Sequence, residues 1–211
     1  MKWEILLDTV GKEPLFSSAL LLAGRVSPEG LGQQLARWTK AGKLIQLRRG
    51  LYALAGAYRK AEPHPFLVAN QLRQPSYVSL QSALAYYGMI PEYVPIVTSM
   101  TTQRPGLVET PLGSFLYKHL KPSFFKGFRL LEVEAGQQFL LASPEKSLLD
   151  LVYLTPGADN QEYLRELRLG NFSALDMRAL REMARDSGSP KLQRAVEGIA
   201  GLAAAEEYQA L

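Results

Sequence analysis

The sequence predicts an α+β fold in two parts: a small N-terminal unit of three helices and a hairpin, then a larger mixed α+β domain with a helical C-terminus. Three observations predict it. Short helical periodicities give way to two strand-like runs within residues 1–60, period-two alternation recurs between residues 94 and 142, and from Ser143 onward the pattern is helical. The 211 residues suffice for one large or two modest domains. With 47% hydrophobic and 21% charged residues, the composition argues against a disordered, collagen-like or coiled-coil chain.

Trp3, Leu6, Leu7 and Val10 recur at helical spacing and Gly11 follows, which predicts a first helix over Lys2 to Val10. After Pro14, Ser17 or Ser18 can cap a short second helix that runs to Ala23 and closes at Gly24. Ser27-Pro28 is a strong start signal, because the serine hydroxyl accepts free amide hydrogens and the proline is preset for the first turn. Leu31, Leu35 and Trp38 then fall at i, i+4 and i+7, one apolar stripe on a third helix that ends near Gly42. Gly30 and Gly32 lower the helix propensity of its first turns. Lys43 to Leu47 and Leu51 to Leu54 are strand-forming runs around the basic turn Arg48-Arg49-Gly50, whose glycine can take positive φ. Three helices followed by a basic hairpin is the order of a winged helix-turn-helix.

Residues 55–65 lack sustained periodicity and carry Pro63 and Pro65, so the domain boundary is placed near residue 61, dividing the chain into 1–60 and 61–211. His64, in this segment, reads as a polar linker residue or a local hydrogen-bonding group. Beyond it the spacing predicts a helix from Pro65 to Gln71, a short extended Tyr77-Val78, and a helix from Leu80 to Tyr87 capped by Ser79. Strands are predicted over Val94 to Thr101, Phe115 to His119, Phe128 to Val133 and Gln138 to Ala142. Ser143-Pro144 repeats the cap-then-proline start of an apolar helix reaching Leu154. Helices over Gln161 to Leu167, Ala174 to Arg185 after Ser173, and Lys191 to about Gln209 after Ser189-Pro190 complete the chain.

The net charge of +4 is unevenly distributed. Residues 1–60 carry ten basic and four acidic groups, a net +6, whereas the remaining 151 carry 14 and 16, a net −2. Such asymmetry suits a polyanion-binding module joined to a more ordinary domain. On the third helix, Glu29, Gln33, Arg37 and Lys40 project away from the apolar stripe, with Gln34 and Ala36 at its margins. Arginine and lysine suit phosphates or guanine, and glutamine suits the donor-acceptor pair of adenine. The candidate contacts to double-stranded DNA are therefore Ser27, Gln33, Gln34, Arg37, Lys40, Lys43, Arg48 and Arg49, the last two at the hairpin turn. Against this stands the plainer reading of a solvated helix face and a turn made soluble by charge. Glu29 suits the dipole of the helix start. A second aromatic and basic stretch, Tyr117 to Lys126, reads either as core aromatics ringed by lysines or as a further basic surface that includes His119.

Catalytic constellations are scarce. There is no cysteine, and His64 and His119 are the two histidines, so a zinc site has too few ligands. The absence of cysteine fits a reducing cytoplasm. Ser143-Pro144-Glu145-Lys146 matches an S-x-x-K spacing, but no S-D-N or K-T-G accompanies it and the serine already caps a helix. Glu145 and Asp150, five apart, make a poor acid-base pair, and Glu145 is more simply an early-turn acid on a helix dipole. Phosphate-loop, dinucleotide and nucleophile-elbow motifs are absent, so the reading is a non-enzyme without cofactor or metal. The N-terminus lacks the layout of a signal peptide and no apolar run approaches the roughly 20 residues of a spanning helix, so no membrane segment is expected.

Ser76 to Glu92 (Ser-Tyr-Val-Ser-Leu-Gln-Ser-Ala-Leu-Ala-Tyr-Tyr-Gly-Met-Ile-Pro-Glu), then Val97-Thr98-Ser99-Met100-Thr101-Thr102 and Ala142 to Leu151, resemble the AbiEi family of antitoxins. Upstream, Gly42-Lys43-Leu44 and Arg48 to Leu54 agree with the winged-helix N-terminus of that family, and the likeness extends over about residues 1–155. The resemblance implies the antitoxin of a bacterial type IV toxin-antitoxin system. Such a protein represses its own operon by binding promoter inverted repeats through its N-terminal domain. Its following domain counters a nucleotidyltransferase-like toxin and can support DNA binding. On this chain the wing match covers Arg48 and Arg49, and the recognition helix covers Gln33, Arg37 and Lys40. The alternative from another class is a protein-interaction module that neutralises a partner by direct binding, with the winged helix as a docking scaffold.

Overall fold

In the computed structural model, which describes residues 1–22 and 28–209, the N-terminal unit runs helix, strand, helix, helix, hairpin. The elements are α1 (Trp3–Val10), β1 (Phe16–Ser17), α2 (Ser18–Leu21), α3 (Pro28–Lys40), β2 (Leu44–Arg48) and β3 (Leu51–Leu54). Ser27, Ala23 and Gly24, to which the sequence assigns helix boundaries, lie outside the described residues. β1 has no signature in the sequence, since two residues carry no period. It pairs antiparallel with β3, giving the sheet order β1-β3-β2.

β3 explains how this unit joins the rest. As the central strand it is buried along its whole length, Leu-Tyr-Ala-Leu, because both faces of the sheet are covered. Tyr52 and Leu54 pack with Leu6, Val10, Leu31 and Leu35 of the N-terminal helices. Leu51 packs on the other side, with Leu47, against Val68, Ala69 and Leu72. The register of β2 slips between Gln46 and Arg48, a bulge at Leu47, whose side chain is buried in that second core. The boundary near residue 61 is thus crossed by a continuous apolar core. Trp3, Trp38 and Tyr58 close the far end of the first unit in edge-on contacts, with ring centroids 5.2 and 5.1 Å from Trp3.

The larger part is a six-stranded mixed sheet of order β6-β7-β5-β4-β9-β8. Its strands are β4 (Ser76–Val78), β5 (Ile96–Thr101), β6 (Gly106–Thr110), β7 (Gly113–His119), β8 (Phe128–Val133) and β9 (Gln137–Ala142). The β4–β9 and β5–β7 pairs are parallel, the others antiparallel. Alternation assigns the two faces: Tyr77, Met100 and Ala142 meet one core, and Val78, Val97, Phe139 and Leu141 the other. The first face is covered by α5 (Leu80–Tyr86), α6 (Pro144–Leu154), α7 (Gln161–Glu166), α8 (Met177–Asp186) and α9 (Pro190–Gln209). The second is covered by α4 (Pro65–Leu72) and the N-terminal sheet. The architecture is mixed α+β with a helical C-terminus. The edge strand β6 lies outside the sequence expectations, because its five residues follow Arg104-Pro105 and alternate too briefly. No helix among the described residues is long and apolar enough to cross a membrane.

One cap follows the sequence reading and others depart from it. Ser143 accepts from the Lys146 amide at 3.2 Å, as its Ser-Pro start implies. α8, however, starts at Met177: Asp176 accepts from the Arg178 and Ala179 amides, and Phe172–Ala174 forms a 3₁₀ turn where a longer helix was expected. Glu145 is buried and accepts from the Asp176 amide at 2.8 Å, so it joins two helix starts rather than standing free on a dipole. Ser79 makes no cap bond either.

His64 is the N-cap of α4, with Nδ1 accepting from the Phe66 amide at 3.1 Å and the ring stacked on Phe139 at 4.6 Å. Burial lowers its pKa below the ordinary value. A depressed folded pKa means the unfolded chain binds the proton first. The cap's contribution is therefore present above about pH 6.5 and is lost as pH falls through the folded value. His64→Asn keeps a capping side chain that does not titrate. Urea midpoints of the native chain should decline relative to this variant below about pH 6.5, and parallel pH profiles would remove His64 as the cause.

An ion pair lies buried on the helical face of the sheet. Lys146 Nζ lies 2.5 Å from Asp150 Oδ1, with side-chain exposures of 7% and 1%. Asp150 Oδ2 accepts from the Tyr77 and Ser79 hydroxyls, each at 2.8 Å. Burial pushes the Asp150 carboxyl above its usual range, against the pull of the Lys146 ammonium and of the Ser79 and Tyr77 hydroxyls. Leu80, next to Ser79, is buried at φ +53°, a left-handed conformation that costs a non-glycine residue about 1–3 kcal/mol.

Candidate nucleic-acid interface

α3 has two faces of different chemistry. Leu31 and Leu35 are buried in the N-terminal core, and on the opposite side Glu29, Gln33, Arg37 and Lys40 are exposed. Gln33, Arg37 and Lys40 are spaced i, i+4, i+7, so their side chains leave the helix in one row. Gly30 and Gly32 do not prevent the helix from running from Pro28 to Lys40, since the buried leucines hold it by packing.

The hairpin turn is tight. Arg48 pairs with Leu51, leaving Arg49 and Gly50 as the loop, and Gly50 takes φ +81°. The Gly50 carbonyl accepts from the Ser18 amide at 2.9 Å, which pins the turn to the start of α2. Arg49 is exposed and makes no side-chain bond among the described residues.

Three of the eight predicted contacts are engaged elsewhere in the fold, and a fourth lies outside the described residues. Arg48 Nε and Nη2 both donate to the Gln71 carbonyl at 3.2 Å. Gln71 is in the last turn of α4, where carbonyls lack helical partners and the dipole is negative, so the guanidinium serves as a C-terminal cap. Lys43 is half-buried with Nζ 5.0 Å from the Trp3 ring centroid, held in a cation–π contact. Gln34 is half-buried and its Oε1 accepts from the terminal ammonium of Met1 at 2.7 Å. Ser27 lies outside the described residues. The structure brings Gln33, Arg37 and Lys40 together on α3 and leaves Arg49 at the turn.

One cationic residue escaped the sequence reading. Arg73 follows α4 directly and stacks its guanidinium 4.5 Å from the Tyr117 ring centroid, while also donating to the Arg104 carbonyl. Arg73 and Arg48 both act on the Tyr117 hydroxyl, whose pKa burial nevertheless holds above its usual value. Nothing in the heptapeptide Gln71 to Tyr77 marks Arg73, because its neighbours in space come from β7 and the β5–β6 connection.

The electrostatics of the face follow from its lack of compensation. Of the ion pairs among the described residues, one sits at the boundary, Arg59 with Glu62, and the rest lie beyond residue 90. The cations of α3 and the turn have no acidic partner among them. Among the described residues no three His, Asp or Glu side chains gather as a metal site. No family model matches the chain, and no curated protein matches it.

If Arg48 is a cap, Arg48→Ala should lower stability by about 1 kcal/mol, the usual worth of one such hydrogen-bonded group. It should leave the salt dependence of any DNA binding unchanged. Denaturation curves and a salt titration on the same variant check both halves.

Proposed function

We propose that this chain is a DNA-binding transcriptional repressor whose N-terminal winged helix docks α3 in the major groove and sets Arg49 of the hairpin against phosphate. The observation that carries the reading is the exposed row of Gln33, Arg37 and Lys40, with Arg49, which have no ion pair among the described residues, in a unit of net charge +6. Uncompensated cations on one helix face supply the sequence-independent part of duplex binding, and Gln33 supplies a group that can read a base edge. Glu29, near the N-terminus of the same helix, disfavours phosphate there and so limits the approach to one orientation.

The resemblance of Ser76 to Glu92 and Ala142 to Leu151 to AbiEi antitoxins supports the rest of the reading. The chain is proposed to act in the cytoplasm as the antitoxin of a type IV system, to repress its own operon at promoter inverted repeats, and to counter a nucleotidyltransferase-like toxin. The test is a gel shift with the DNA upstream of its own gene, run from about 50 to 200 mM salt. Binding that weakens with a log–log slope of roughly 0.9 per neutralised phosphate supports the reading. An absence of binding at the lowest salt would overturn it. Co-expression with the product of the neighbouring reading frame tests the antitoxin half separately.

A further inference from the structure

A cavity of about 400 Å³ in the C-terminal half shares no lining residue with α3 or the hairpin turn. It lies between α6, the β7–β8 connection and the α8–α9 corner, with the buried Lys146–Asp150 pair in its wall. We infer that this cavity is a binding site for a small amphipathic anion, a carboxylate or phosphate on an apolar body.

The anion end is set by the lysines. The Lys146 ammonium has three donors, one of which goes to Asp150 Oδ1, and no second acceptor serves it among the described residues. Its position is built rather than incidental. A Cβ on Gly127 would come within 3.2–3.3 Å of the Lys146 stem, and Gly127 sits at φ +81°, so the connection packs closely along that side chain. Asp150 does not oppose an anion here, because its charge is met by Lys146, Tyr77 and Ser79. Lys121 and Lys126 are exposed on the rim without an acidic partner among the described residues, against the single exposed carboxylate of Asp186. Lys146 is paired with Asp150 and offers its remaining N–H donors rather than a net charge, so the two exposed lysines at the mouth supply the field that favours a negative head.

The apolar end is set by Phe124, Leu149 and Leu192. Lys121 Nζ lies 4.3 Å from the Phe124 ring centroid, which places a cation and an aromatic face side by side at the entrance. The volume falls in the range of about 300–1,000 Å³ in which proteins bind small molecules, and the lining mixes apolar side chains with lysine, serine and aspartate side chains.

The experiment is isothermal titration calorimetry of the full chain with four compounds of similar shape: benzoate, phenyl phosphate, benzyl alcohol and benzylamine. Binding of at least one of the two anions, about tenfold or more tighter than of the alcohol and amine, is expected. Which anion wins distinguishes carboxylate from phosphate. The exposed pair Lys121→Ala/Lys126→Ala should weaken the anion about tenfold, and Met183→Trp, at a half-buried lining position, should abolish binding by filling the space. Unchanged circular dichroism and melting temperature establish that both variants fold. The inference is overturned if neither anion binds at about 10 mM, if benzylamine binds as well as the anions, or if neither variant changes the affinity.

Discussion

Asp150→Ala should be the most damaging single substitution in the larger domain, lowering stability by about 3–5 kcal/mol. Removing the carboxylate leaves the Lys146 ammonium buried and unpaired and takes the acceptor from both the Tyr77 and Ser79 hydroxyls. The cost is therefore that of an uncompensated charge with two orphaned hydroxyls rather than of one lost hydrogen bond. Against a total of about 5–15 kcal/mol, it removes a large share of what holds the fold. In a chain of this length each kcal/mol corresponds to roughly 2–4 °C, so the melting temperature should fall by about 10 °C. The double change Lys146→Met/Asp150→Leu removes both charges together and should be less harmful than Asp150→Ala alone, because no ion is stranded. Urea denaturation of the variants decides it. Strictly additive effects of the two single changes, each below about 1 kcal/mol, would mean that the pair is not the buried anchor its geometry describes.

This cluster also shows where the sequence stops being informative. Tyr77 and Asp150 are 73 residues apart, and Ser79 and Asp150 71, so no local pattern joins them. Ser79 at the start of a helix reads naturally as a cap, and only the fold turns its hydroxyl to a distant carboxylate. Elements with a strong local cause were legible: Ser143-Pro144 begins α6, the Leu31-Leu35 stripe builds α3, and alternation across β5 and β9 assigns the two sheet faces. Elements set by neighbours were not. β1 exists because β3 offers an unpaired side, and the N-terminal unit reads as a separate domain only until Leu47 and Leu51 are found in the same core as Val68 and Leu72. The candidate interface divides in the same way. Helical spacing alone puts Gln33, Arg37 and Lys40 in one exposed row. Arg48 and Lys43 carry the right charge in the right segment, yet they are engaged by a carbonyl of α4 and by an indole from α1.

That division yields the sharpest expectation for DNA binding. Arg37, Lys40 and Arg49 are the cations of α3 and the hairpin turn that are exposed and without an acidic or carbonyl partner among the described residues. Each one that meets a phosphate contributes about 0.9 to the salt slope, so Arg37→Ala/Lys40→Ala/Arg49→Ala should flatten it by as much as about 2.7. Affinity should fall for specific and non-specific duplexes alike, since phosphate contacts carry no sequence information. Gln33→Ala should instead leave the slope unchanged and cost about 1–3 kcal/mol at the cognate site only, if its amide reads an adenine edge. Arg48→Ala is the internal control, because its guanidinium already caps α4 and its loss should appear in the denaturation curve rather than the salt titration. A triple variant whose slope matches that of the native chain would place the duplex on some other surface. A slope that drops for Arg48→Ala as strongly as for Arg49→Ala would show that the guanidinium leaves the Gln71 carbonyl when DNA arrives, making the link between hairpin and α4 part of the binding step.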